Sequence, residues 1–202
     1  MRRKLMERLL QWKDHKNRKP LILWGARQTG KTWILKEFGR SAFSDTVYIS
    51  FYNNTRIASI FERDYDVHRI LNALEIELHV RIRPQETLLI FDEVQGAGKV
   101  VESLKYFCEN KADLHVIGAG SLLGVALRSR QISFPVGKVN RMQMYPLTFE
   151  EFLTATGEES RITALRNWPL DRPIPELHTV PLEKALKISR SEERRVGKEC
   201  RS

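Results

Sequence analysis

One short segment constrains this chain more than any other. Gly25-Ala26-Arg27-Gln28-Thr29-Gly30-Lys31-Thr32 matches the pattern GxxxxGK[ST] in full, and it stands between the apolar run LILW and the helical stretch KTWILKEF. Glycines let a backbone wrap closely around phosphate oxygens, and loop amides with a helix N-terminus supply positive dipole. A chance match in a chain of this size is on the order of 1% from average glycine usage. Gly25 to Thr32, with Trp33 just after them, are therefore the expected nucleotide-contacting residues, with Lys31 reaching the β and γ phosphates and Thr32 holding Mg²⁺.

Such a loop calls for a buried strand that ends in an acid. TLLIFDE at 87–93 supplies one, with Asp92 as the second expected Mg²⁺ ligand. Glu93 follows at once, and a carboxylate there can orient and deprotonate the water that attacks the γ-phosphate. An acidic pair capping the next helix would account for the two residues but not for their place after a buried apolar run. A third run, HVIGAGSLLG, ends in small residues; Ser121 faces the γ-phosphate if this strand lies beside the strand before the glycine-rich loop. Lys31, Glu93 and Ser121 are thus the expected catalytic set. Gly118, Gly120 and Gly124 form GxGxxxG, one residue off the dinucleotide fingerprint, with no acid about twenty positions on, so a Rossmann site is rejected. Arg128, Arg130 and Arg141 are candidates for a cation that stabilises the transition state, and the sequence does not choose among them.

The apolar runs LILW, TVYISF at 46–51, TLLIFDE and HVIGAGS at 115–121 are short, unbroken and rich in β-formers, as buried parallel strands are. Helical patterns alternate with them, notably Val67 to Ile82 and Val100 to Glu109. Gln143 to Leu147 is a candidate fifth strand, and TFEEFLTA opens a helix with a Thr cap and an acidic first turn. Residues 3–14 carry Leu5, Met6, Leu9, Leu10 and Trp12 at helical spacing. The expected fold is α/β, a three-layer P-loop sandwich around a mainly parallel five-stranded sheet.

Composition limits what else the chain does. The longest apolar runs, Leu21 to Trp24 and Thr87 to Phe91, fall far short of the roughly 20 residues of a membrane span, and MRRKLMERLLQWKDHK lacks the layout of a signal peptide. A cytoplasmic protein without membrane contact is expected. Cys108 and Cys200 indicate neither a disulfide framework nor a zinc site, and His15, His68, His79, His115 and His178 are scattered singly. The net charge is +9, but residues 1–19 carry +6 of it and residues 184–202 carry +4, leaving 20–183 at −1. Basic ends on a neutral core leave nucleic-acid contact open without favouring it.

The segments RKPLILWGARQTGKTWILKEF, LLIFDEVQ, VIGAGSLLG and SFPVGKVNRMQMYPLTFEEFL, in that order, together resemble AAA-type ATP-binding proteins of a bacterial and archaeal group whose ATPase core precedes a C-terminal domain of unknown function. The resemblance covers roughly residues 5–157. It implies an ATPase core of the additional-strand, catalytic-glutamate type, with Lys31, Thr32, Asp92, Glu93 and Ser121 matching its motifs. Where the group more often has Arg after the glycine of SFPVGKV, this chain has Lys138, which lacks the planar guanidinium fork. The expected organisation is a core over 1–157, the start of a truncated helical lid over 158–188, and a tail over 189–202. That tail, which includes SEERRVGKECRS, shows no apolar periodicity and is expected to be non-native or a disordered basic segment.

These features predict an ATP-binding protein that hydrolyses ATP with Mg²⁺ and couples turnover to an unidentified partner, with a homo-oligomer or nucleic acid as the partners left open. A P-loop kinase, a nucleotide-dependent binding module with little turnover, and a fragment that binds ATP without turning over are the alternatives.

Overall fold

The computed structural model describes residues 3–121, 135–169 and 172–173. In chain order the described elements are α1 (Lys4–Asp14), β1 (Leu21–Gly25), α2 (Lys31–Ala42), β2 (Asp45–Ser50), α3 (Thr55–Glu62), α4 (Val67–Leu78), β3 (Thr87–Asp92), a 3₁₀ turn (Val94–Gly96), α5 (Gly98–Asn110), β4 (His115–Gly120), β5 (Asn140–Met144), α6 (Phe149–Ala155) and α7 (Glu159–Arg166).

The five strands form one sheet in the order β2-β3-β4-β1-β5, and every pairing in it is parallel. Each of the six residues of β3 and of β4 is buried. Unbroken apolar runs give that result because a parallel sheet is covered on both faces.

Strand alternation sorts the core into two halves. Leu21, Leu23, Leu88, Ile90 and Ile117 point to one face, where Leu5, Leu9 and Trp12 of α1 and Ile34, Leu35 and Phe38 of α2 cover them. Ile22, Leu89, Phe91 and Val116 point to the other, against α3, α4 and α5. Helices, sheet and helices make three layers. On the second face Phe51, Phe61 and Phe91 meet edge to face at centroid distances of 5.6–5.8 Å. Burial of each ring contributes roughly 2–3 kcal/mol, and the edge-to-face geometry adds about 0.5–1.5 kcal/mol per pair.

Several boundaries differ from the sequence reading. The fifth strand is Asn140–Met144, not 143–147: at the edge of the described sheet and paired to β1, it begins where Asn140 N–H bonds Pro20 O. Its register is set by backbone pairing, whereas the apolar pattern that located the other strands is missing here. The helix read as Val67–Ile82 ends at Leu78, because His79 turns to φ 53° and the amides of His79 and Val80 both bond back to Glu75 O. Helix α3 was not foreseen; Asn54 caps it by accepting from Ile57 N–H at 3.2 Å. In α1, Leu10 lies outside the buried stripe at 41% exposure.

Candidate functional site

Gly25 ends β1 in a place only glycine fits: a Cβ there would lie 2.2 Å from the carbonyl oxygen of Met144, the last residue of β5. The chain then turns through Gln28 (φ 59°) and Gly30 (φ 88°), both in the left-handed region. Alternation of this kind points successive amides into one concavity. Gly30 is the N-cap of α2 and offers no side-chain cap, so the first amides of that helix are left for another acceptor. Thr29 Oγ1 donates to Ala26 O at 2.9 Å and braces the loop from within. Lys31 is buried and curls over its own loop, donating from Nζ to Gly25 O at 2.9 Å and Ala26 O at 2.6 Å.

Thr32 opens α2 and reaches across to the end of β3, donating from Oγ1 to Asp92 Oδ2 at 2.8 Å. The same oxygen accepts the phenol of Tyr48, from β2, at 2.8 Å, while Asp92 Oδ1 accepts Glu93 N–H at 2.9 Å. Asp92 is buried, and these three donors hold its carboxylate in one orientation. Burial, and then the hydrogen bond to Asp92 and its charge, push the Tyr48 phenol well above its ordinary range, so it remains a donor. Glu93 sits at φ 57°, a left-handed conformation unusual for a residue with a side chain. Its Oε2 accepts a hydrogen bond from Gln95 Nε2.

These parts face one cleft of about 750 Å³, lined by the Arg27–Gln28 and Gly30–Trp33 segments and by Ser50, Tyr52, Glu93, Gln95 and Ser121. Gly25, Ala26 and Thr29 shape the loop without lining the cleft, and Asp92 lies beneath Thr32. Strand β4 does lie beside β1, with Ala119 opposite Leu23 and Gly120 opposite Trp24, which brings Ser121 to the loop as the sequence condition required. Arg141, on β5, lines a different pocket with Arg8, Gln11 and Trp12, and Lys138 pairs with Glu109 at 2.8 Å away from the cleft. Arg128 and Arg130 fall outside the described residues, as does the 189–202 tail.

The sequence reading missed Tyr48, Ser50, Tyr52 and Gln95. A tyrosine in the apolar run TVYISF was the available sign for the first, but its use depends on β2 and β3 being neighbours, with Tyr48 opposite Ile90. Gln95 stood at the end of the segment LLIFDEVQ, but nothing in the sequence gave it a role.

Several basic residues of the N-terminal segment make contacts within the chain, most of them at its surface. Arg3 donates to Tyr145 O at 2.8 Å and pairs with Glu151 at 3.4 Å, Lys4 pairs with Glu150 at 2.9 Å, and Lys13, Arg18 and Lys19 donate to the carbonyls of Ala42, Asp113 and Gly137. No helix among the described residues is long and apolar enough to cross a membrane.

The loop between β1 and α2, the acid ending β3, and a strand inserted between β1 and β3 define a nucleotide-binding P-loop α/β protein of the additional-strand type. An AAA domain family model matches residues 17–153, and the chain belongs to that family. Among solved structures it is similar to the Aeropyrum pernix ORC2 protein in its ADP form, with 14% identity and a TM-score of 0.42, covering 78% of this chain and 49% of that one. It is also similar to the Aeropyrum pernix ORC1 protein in complex with DNA, with 18% identity and a TM-score of 0.46, covering 77% of this chain and 48% of that one. The chain thus spans about half the length of these two structures. No curated protein matches it.

Proposed function

We propose that this chain binds ATP with Mg²⁺ in the cleft and hydrolyses it. The observation that carries the reading is the Thr32–Asp92 hydrogen bond with Glu93 beside it, at the mouth of an uncapped helix N-terminus. The donor set fits Mg²⁺, a hard cation that prefers oxygen: a hydroxyl and a carboxylate oxygen already meet at 2.8 Å. Thr32 and Asp92 would hold the ion, which when bound neutralises charge on the phosphate oxygens.

The other roles follow from position. Loop amides cradle the phosphates, and Lys31 exchanges the Gly25 and Ala26 carbonyls for phosphate oxygens, a stronger charge-assisted partnership. Glu93 lines the cleft, and its carboxylate takes a proton from the attacking water. The water oxygen bonds to the γ-phosphorus, the bond to the β–γ bridging oxygen breaks with its electron pair leaving on ADP, and the proton passes through Glu93 to solvent. Ser121 donates to a γ-phosphate oxygen. Turnover is coupled to a partner that the cleft itself does not define.

ATP-dependent phosphate release with Mg²⁺ tests this, beside Lys31→Ala and Glu93→Gln. The expected result is turnover by the parent chain, ATP binding without turnover by Glu93→Gln, and loss of binding by Lys31→Ala. ATP binding by the parent chain without phosphate release would instead favour a nucleotide-dependent binding module.

A further inference from the structure

Gln95 lines the cleft and has no part in the chemistry above. It lies in the 3₁₀ turn Val94–Gly96 that follows β3, and its Nε2 donates to Glu93 Oε2. An ionised carboxylate only accepts, so this contact fixes the amide: nitrogen toward Glu93, oxygen away from it. That oxygen, Oε1, is out of contact with solvent and meets no donor among the described residues. Buried amide oxygens are almost always satisfied, by protein or by water. Here the unmatched acceptor is carried by a cleft-lining side chain bonded directly to the proposed base.

We propose that Gln95 is the positioning residue of the hydrolytic step, holding the Glu93 carboxylate with its amide nitrogen so that Glu93 meets the attacking water in one orientation. The inference rests on the hydrolytic reading of the same cleft. Glu93 is then fixed at both ends, its main-chain N–H on Asp92 Oδ1 and its carboxylate on Gln95. The attacking water transfers one proton to the Glu93 carboxylate so held and keeps the other on its oxygen. The oxygen lone pair is left directed at the γ-phosphorus, and bond making and breaking balance as above. Orientation of this kind acts on the chemical step and leaves ground-state nucleotide binding alone.

The test uses the full chain with Gln95→Met, which keeps length and volume but neither donates nor accepts strongly, and Gln95→Glu, which keeps an acceptor and loses the donor. Both are expected to lower kcat by about tenfold or more while KM and the Kd for ATP stay within about twofold. Affinity for ADP with tetrafluoroaluminate, which mimics the transition state, falls with kcat in Gln95→Met, whereas affinity for ADP alone, the control for folding, does not. Phosphate release by the parent chain that Gln95→Met leaves within about twofold overturns this inference alone. Absence of phosphate release by the parent chain overturns the hydrolytic reading, and this inference with it.

Discussion

Thr32 opens the helix that follows β1, and Asp92 ends β3, a strand not hydrogen-bonded to β1, yet the threonine hydroxyl donates to Asp92 Oδ2 at 2.8 Å. The bond ties the first turn of α2 to the end of β3 across the intervening β4. Thr32→Ala removes the hydroxyl and leaves a buried carboxylate with one donor fewer. Mg²⁺-dependent ATP affinity is expected to fall by roughly tenfold or more, in line with loss of a hydrogen bond to a charged group, while Thr32→Ser restores most of it. Titrating a fluorescent ATP analogue with and without Mg²⁺ checks this, and equal affinities for all three proteins would contradict it.

Tyr48→Phe deletes the other donor to the same oxygen. A loss of about 1–2 kcal/mol in urea unfolding is expected at neutral pH, as for a hydrogen bond to a charged group. The raised folded pKa of the phenol also sets a sign: its contribution is fully present below the unfolded value near 10 and is lost as pH rises above it. The parent chain therefore loses stability on the alkaline side more steeply than Tyr48→Phe does.

His115 is packed edge-on against Trp12 at 5.8 Å and Phe43 at 4.8 Å, and burial, then the nearby charge of Arg18, lower its pKa to about 4. The unfolded chain, with an ordinary value near 6.5, takes up the proton first. Stability from this site is present above pH 6.5 and drains away as pH falls toward about 4. Melting temperatures of the parent chain decline over that window, and His115→Phe, which keeps the ring contacts, flattens the decline. Parallel curves for the two would rule out His115 as the cause.

Glu151 pairs with Arg3 at a site where the two side chains are 8% and 5% exposed, and it also closes the Thr148 capping box of α6. Glu151→Ala leaves the guanidinium buried without its counter-charge, and a destabilisation of about 3 kcal/mol is expected. Glu151→Gln, which retains an acceptor for the cap, loses less. Urea midpoints at pH 7 separate the two variants, and a loss below about 1 kcal/mol for Glu151→Ala would mean that α1 and α6 dock without this pair.

The inner strands were legible because burial on both faces writes itself as an unbroken apolar run, and Leu21–Gly25, Thr87–Asp92 and His115–Gly120 carry that signature. The nucleotide loop was legible because its backbone tolerates few residue types at Gly25 and Gly30. Strand β5 was misplaced: its burial alternates at an edge, and Asn140, Arg141 and Gln143 resemble a loop until the partner strand is known. Tyr48 and Gln95 were missed for a related reason. Tyr48 meets Asp92 only because β2 is hydrogen-bonded to β3, and Gln95 meets Glu93 only because Glu93 adopts a positive φ that lets the chain double back.

The inserted strand has a metrical consequence. With β4 between them, β1 and β3 are two interstrand steps apart, about 9–10 Å by the ordinary spacing of hydrogen-bonded strands. The distance from the loop after Gly25 to the carboxylate of Asp92 is thus counted out in peptide hydrogen bonds, and side-chain packing has little say in it. Gly118, Ala119 and Gly120 make that spacer thin above and below the sheet without altering its breadth. The opening for a γ-phosphate comes in whole strands, so substitutions along β4 weaken the fold well before they change the gauge of the site.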